Sequence, residues 1–253
     1  MPTGVGAVSL RVKDLARSGE FYGELLGLES ADGQTFAAPG GGVPLVKLIE
    51  SPRAAPRPPR ALGLYHFALL VPERPSLARI LRRLMKGGWH LQGASDHEVS
   101  EALYLADPDG YGIEIYRDRP RDEWRYTNGQ LVMSTLPLNI EGLLSEAADE
   151  GPLPKETIMG HIHLHVSSLS AAEDFYSGRL GFDVTVRGYP GALFLSAGRY
   201  HHHIGLNTWA GPHATRPRPD QIGMEEFEIY ADGSATPVRL KDPDGNTVVV
   251  RER

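Results

Sequence analysis

Residues 64–116 carry His66, His97, Tyr104 and Glu114, side chains suited to metal or proton chemistry. Imidazole and carboxylate groups hold divalent ions, and histidine and tyrosine relay protons, so the set suits a metal-dependent reaction with positioned acid or base groups. Their local sequences say how they are presented. His66 lies in the apolar run Leu64-Tyr65-His66-Phe67-Ala68-Leu69-Leu70-Val71, which reads as a strand, and Ile113-Glu114-Ile115 alternates so that Glu114 faces away from the two isoleucines. If both strands belong to one small sheet, His66 and Glu114 project from the same face and share an ion. Asp107-Pro108-Asp109-Gly110, just before the second strand, reads as a turn chosen for backbone geometry.

The chain has no cysteine, which removes disulfides, thiolate metal sites and a cysteine nucleophile together. Any ion must rest on histidine, carboxylate and water. Six of the ten histidines fall in two clusters, His161/His163/His165 and His201/His202/His203. A chain of 253 residues with 41% hydrophobic and 23% charged residues is an ordinary soluble globular protein with a core to bury. Its net charge of −6, with no Lys/Arg cluster flanked by stacking aromatics, argues against a nucleic-acid partner. The first residues carry no basic segment followed by an apolar one. No run approaches the roughly 18 apolar residues of a membrane-spanning helix. A cytoplasmic protein with no membrane association is expected.

The elements that must position these residues repeat. Residues 10–27 line up without a gap on 164–181, matching Leu10/Leu164, Val12/Val166, Leu15/Leu169, Phe21/Phe175, Tyr22/Tyr176, Leu26/Leu180 and Gly27/Gly181. Asp107-Pro108-Asp109-Gly110 echoes Asp242-Pro243-Asp244-Gly245, each ahead of a strand. Each of the two aligned stretches reads as a strand and then a helix opened by Asp14 or Ser168 and closed by Gly27 or Gly181. Further strands are expected at 34–38, 43–49, 184–187, 192–196 and 203–207, and a second-module helix at 76–86. The chain is thus α+β, four tandem βαβββ modules with the fourth shortened and without a clear helix. The N-terminal half, 1–117, holds modules 5–50 and 64–117. Residues 118–157 form a joint with a helix at 140–148, and the C-terminal half, 158–253, holds modules 158–209 and 221–253. Pro-rich connectors at 51–60 and 211–219 separate the modules within each half.

Four such modules with Asp-Pro-Asp-Gly before a last strand resemble the vicinal oxygen chelate superfamily, which includes glyoxalase I, bleomycin-resistance proteins and extradiol ring-cleaving dioxygenases. The segments Gly63-Leu64-Tyr65-His66, Ser100-Glu101-Ala102-Leu103-Tyr104-Leu105, 160–166 and 201–207 look most like the extradiol dioxygenases of the catechol-2,3-dioxygenase type. The resemblance implies two cups of curved mixed sheet, each built by two modules. It also implies a ligand near the start of a module's first strand and another on its last strand. On that scheme module one offers Ala7, module two His66 and Glu114, module three His161, and module four Met224 or Glu225 and then Val249. Pairing modules two and three unites His66, Glu114 and His161 as a two-histidine, one-carboxylate face for Fe(II), with Mn(II) as a possible substitute.

The same resemblance implies a reaction that opens an aromatic diol with O2. His202 would be the acid/base, Tyr104 a hydrogen-bond partner of the substrate oxygen, and His97 its assistant. His163 and His165 read as groups behind the ligands or as structural residues, one of His201–His203 is expected to point away, and Trp124 and Trp209 read as packing or pocket wall. The partners implied are a small aromatic diol and O2, and a homo-oligomer is left open. Two other activities on this scaffold are a glyoxalase-like isomerase or lyase, and a metal-free binding protein of the resistance kind.

Overall fold

The computed structural model describes residues 1–233 and 236–253. Module one comprises β1 (Pro2–Val12), α1 (Leu15–Gly19), β2 (Thr35–Ala37) and β3 (Pro44–Glu50). Module two comprises β4 (Gly63–Leu70), α2 (Arg74–Lys86), β5 (Leu91–Asp96), β6 (Ser100–Ala106) and β7 (Gly112–Asp118). The joint holds three two-residue strands, β8 (Tyr126–Thr127), β9 (Gln130–Leu131) and β10 (Leu136–Pro137), and helix α3 (Ile140–Leu144). Module three comprises β11 (Ile158–His165), α4 (Leu169–Glu173), β12 (Asp183–Val186), β13 (Ala192–Ser196) and β14 (Ile204–Asn207). Module four has β15 (Met224–Ala231), β16 (Val238–Lys241) and β17 (Thr247–Arg251), with no helix among its described residues.

The sheets do not follow the halves of the chain. One has the order β16-β17-β15-β1-β3-β2, and the other β10-β5-β6-β7-β4-β11-β14-β13-β12. Within every module the first strand runs parallel to the last. Across modules, β1 pairs antiparallel with β15 and β4 antiparallel with β11. Modules one and four therefore form an outer sheet, and modules two and three an inner one. Beside these, β8 and β9 form a small ribbon of their own.

Strand alternation explains how one core serves both sheets. Val8, Leu48 and Phe227 of the outer sheet join Phe67, Ile113, Ile115 and Ile162 of the inner sheet in one buried cluster with Phe21, Leu77 and Leu81 of the helices. The alternate positions on the inner sheet, His66, Ala68 and Glu114, face the other way.

The helices start where their caps predict. The Asp14 carboxylate accepts from the Arg17 N–H and the Ser168 hydroxyl from the Ala171 N–H, while Gly27 and Gly181 take φ of +78° and +86° just past the end. Between cap and glycine, however, each α-turn widens into a π-turn, Glu20–Leu25 and Asp174–Arg179. The widening turns Tyr22 and Tyr176 inward, and their hydroxyls donate to Asp107 (2.9 Å) and Asp242 (2.8 Å). Asp109 and Asp244 accept from the backbone N–H of Lys13 and Ser167. Both Asp-Pro-Asp-Gly turns are thus locks between the modules of one half, beyond their role in chain reversal. Two helix boundaries differ from the sequence reading. Helix α2 begins at Arg74 because Pro75 suits the first turn. Helix α3 stops at Leu144, where the Ser145 hydroxyl turns back to the Gly142 carbonyl.

Candidate metal centre

The inner sheet brings three predicted ligands together through its register. Ala68 of β4 lies opposite Glu114 of β7 on one side and His161 of β11 on the other, and His66 sits two residues before Ala68 on the same face. Gly160 is the extra residue of a β-bulge between Met159 and His161, which bends β11 and re-aims the His161 side chain. Glycine is required there because a Cβ would collide with the Tyr116 hydroxyl.

The donor atoms form a nearly equilateral triangle. His66 Nε2 is 3.1 Å and His161 Nε2 3.2 Å from Glu114 Oε2, and the two Nε2 atoms are 3.3 Å apart. All three residues are buried, at 6%, 3% and 1% exposure for His66, Glu114 and His161. Burial opposes the charge of Glu114, but the facing His161 and His66 offset it and hold the carboxyl well below the usual carboxylate range. Burial draws the His161 imidazole down to about 4, against the pull of Glu114. A charged carboxylate beside neutral imidazole is the ligand-competent state.

Lone pairs converging at these distances suit a cation. An ion about 2.2 Å from each donor would see them at close to right angles, the spacing of one octahedral face with the opposite face open. His161 Nδ1 is buried without a hydrogen-bond partner, whereas a ligating histidine usually donates its second ring N–H.

The other predicted residues gather at the same place. A cavity of about 580 Å³ is lined by His66, Glu114, His97, Tyr104 and His202 together with an aromatic wall that includes Phe194 and Trp209. Tyr104 of β6 lies opposite Glu114 in the register. His97 Nδ1 lies 2.6 Å from the Ser134 carbonyl, which can only accept, so Nδ1 carries the proton. His97 Nε2, 2.6 Å from the Tyr104 hydroxyl, then accepts from it. Burial, followed by the nearby Glu114, pushes the Tyr104 hydroxyl well above its ordinary value and keeps the proton on this pair. The His202 ring lies 4.0 Å from that of His161, and burial pulls it well below the usual histidine range, so it is neutral.

The remaining histidines divide as chemistry requires. Asn207 clamps two of them: its amide donates to His163 Nε2 (2.9 Å), and its carbonyl accepts from His165 Nδ1 (2.6 Å). Gly205 makes room for this arrangement, since a Cβ would meet the His163 ring at 2.8 Å. His203 faces away, accepting from the Ala197 N–H and lining a separate cavity between the two sheets. Trp124 packs in a small buried cluster with Val99 and Tyr200.

Sequence reasoning passed over Asn207, Tyr116 and Asp118. Asp118 follows Glu114 by four residues on one strand, so it shares its face, and that spacing was the available signal. The structure also corrects the ligand-equivalent position of module four. His66 pairs with Gly112, and the residue paired with the matching Thr247 is Glu226 rather than Met224 or Glu225. Without a helix in module four, no gap-free echo fixed that strand's register.

Residues 4–115 match the model of the Glyoxalase/Bleomycin resistance protein/Dioxygenase superfamily. The chain is 48% identical over 236 residues to the catechol-2,3-dioxygenase of Bacillus subtilis (strain 168), covering 90% of this chain and 82% of that one. Its fold matches the solved structure of a protein from Bacillus subtilis subsp. subtilis str. 168, with a TM-score of 0.69 at 13% identity over 98% of this chain and 84% of the other. It also matches glyoxalase I from Zea mays, with a TM-score of 0.54 at 14% identity over 98% and 92%. Nested modules, a ligand triangle on the inner sheet and this degree of identity together place the chain in the glyoxalase/bleomycin resistance protein/dioxygenase superfamily.

Proposed function

We propose that this protein opens the ring of a small aromatic diol with O2, acting as an extradiol dioxygenase of the catechol-2,3-dioxygenase type. The observation that carries the reading is the clustering of His66, Glu114 and His161 ligand atoms at a cavity that His66 and Glu114 line together with His97, Tyr104 and His202. The name of the 48% identical relative supports it. A bound Fe(II), with Mn(II) as the other candidate, supplies a common centre for diol and O2 and lets electron density pass between them. Both oxygen atoms enter the product and one ring carbon–carbon bond breaks beside the diol, giving a semialdehyde acid with no outside reductant.

The chain's own residues orient the diol and move its protons. Tyr104 shares its proton with His97, so its oxygen is free to accept from a substrate hydroxyl, and the Ser134 carbonyl fixes the direction of the pair. His202, neutral and tilted against the His161 ring, takes a proton from the diol and returns it as the O–O bond breaks. The rings of Phe194 and Trp209 offer flat apolar surface to an aromatic substrate and exclude water. A glyoxalase-like isomerase would want a carboxylate on β14, but Ile204, Gly205, Leu206 and Asn207 supply none.

The test is metal analysis joined to O2 uptake. Purified protein should hold about one iron or manganese per chain and consume O2 with at least one member of a panel of unsubstituted, alkyl, aryl and carboxylated catechols. The product should be a ring-opened semialdehyde acid by mass. Metal-replete protein that consumes no O2 with any of them sinks the reading.

A further inference from the structure

His201 and Asp118 take no part in the reaction as described, yet they end at His202. The His201 side chain is fully buried under Tyr200 and Trp124, with ring centroids 4.0 and 5.5 Å away. Its Nε2 lies 2.9 Å from Asp118 Oδ1, and its Nδ1 lies 2.7 Å from His202 Nδ1. Asp118 is held in turn by the Tyr200 hydroxyl at 3.0 Å, and that hydroxyl meets the Tyr116 hydroxyl at 2.7 Å.

With both imidazoles taken as neutral, the proton positions follow. A carboxylate only accepts, so His201 Nε2 carries a proton. With His201 in the neutral form its single N–H sits on Nε2, Nδ1 is a bare acceptor, and the short contact makes His202 Nδ1 the donor; an imidazolium at His201 would reverse that bond. His202 has spent its own proton on that bond, so its Nε2 carries only a lone pair. His202 lines the cavity, and Nε2 is the ring nitrogen left for it.

We propose that Asp118 and His201 are positioning residues, a buried relay that fixes His202 in the Nδ1–H form and presents a proton-accepting Nε2 to the diol. This rests on the role given to His202 in the proposed function. The relay resembles the way a buried aspartate sets the tautomer of a catalytic histidine in serine proteases, with one further imidazole between them.

Two measurements test it, and the first does not depend on turnover. In full-length protein loaded with diamagnetic Zn(II), ring ¹⁵N NMR should find His202 protonated at Nδ1 and bare at Nε2. In Asp118→Asn, whose amide can donate to His201 Nε2, the order should invert. Wild-type His202 protonated at Nε2 overturns the proposal. The second uses the iron-loaded enzyme. His201→Phe removes the acceptor, whereas His201→Asn keeps an oxygen near the Nδ1 position. The Phe variant should lose roughly 10- to 100-fold in kcat, with KM for the diol and metal content unchanged, and the Asn variant should recover most of that loss. Equal activity in the two variants, or a loss confined to KM or metal content, overturns it. Two further results separate the ideas: no O2 uptake by the metal-loaded wild type fails the proposed function itself, whereas normal turnover in His202→Phe, or a large loss there with unaffected His201 variants, fails the relay alone.

Discussion

The inner and outer sheets share the pairing of their four central strands and differ in what fills the same positions. On the inner sheet, Ala68 lies between Glu114 and His161, with His66 beside it. On the outer sheet the matching places hold Glu228, Val249, Ala7 and Glu226. The carboxylates have moved from the last strand to the first, and each has a cation of its own. Glu228 accepts from Lys47 at 2.7 Å and lies 3.5 Å from Arg251, and Glu226 pairs with Arg239. Among the described residues, only the inner sheet gathers three ligand atoms within reach of one ion. The scaffold therefore presents side chains of either kind at these points. An ion site needs the carboxylate to face imidazole lone pairs rather than lysine and arginine already bound to the chain.

Removing the inner ligands should break this comparison most completely. His66→Ala, Glu114→Ala and His161→Ala should each abolish the bound metal and turnover, while Glu226→Gln and Glu228→Gln leave metal content at the wild-type level. Elemental analysis decides it, and full occupancy in the three inner variants would falsify the ligand assignment. Next in size, His202→Phe should retain the metal and still bind the diol while turnover falls by roughly 10²-fold or more, the scale of a lost acid/base group. Steady-state O2 uptake beside metal analysis separates the two effects.

How much of this was legible in the sequence depended on whether the signal was local. The repeat at residues 10–27 and 164–181 was readable because alternating strands and capped helices leave a local pattern. His66 and Glu114 were readable from the patterns of their own strands, whereas His161 was singled out among its neighbouring histidines only by the resemblance to the superfamily. The bulge at Gly160 left no pattern, because register is settled between strands far apart in the chain. The bond from His97 to the Ser134 carbonyl was invisible for the same reason, since a backbone acceptor has no residue type. The Asp-Pro-Asp-Gly turns were legible as turns. Their part in locking modules together appeared only once the π-turns had swung Tyr22 and Tyr176 toward them.

A smaller effect tests the outer sheet. Lys47→Met should leave the buried Glu228 carboxylate with only the longer contact to Arg251, and destabilise the protein by about 1–3 kcal/mol. Lys47→Met with Glu228→Met should recover much of that, because the unpaired charge goes with its partner. Denaturant unfolding of the single and double variants measures the difference. A single variant as stable as wild type would show that the ion pair does not hold the outer sheet.

The two sheets also share a feature that should appear as a pH dependence: the tyrosine–aspartate locks that tie each outer module to its inner neighbour. Burial raises the Asp107 carboxyl to about 6, although hydrogen bonds from the Tyr111 N–H and the Tyr22 hydroxyl pull the other way. Asp242 is raised for the same first reason. The sign follows from proton counting. Between its ordinary value near 3.8 and about 6, Asp107 binds more proton in the folded than in the unfolded chain, so its contribution to stability falls as pH climbs through that window and is flat above it. Two pKa units correspond to on the order of 3 kcal/mol at most, reduced by any relaxation of the site. Tyr22→Phe removes a bond that lowers this pKa, and so should carry the falling limb to higher pH. Asp107→Asn removes the titrating group and should flatten the slope while costing some stability at every pH. Unfolding free energies of the three proteins from pH 4 to 8 test this. Parallel curves for wild type and Asp107→Asn would show that Asp107 does not titrate in this window.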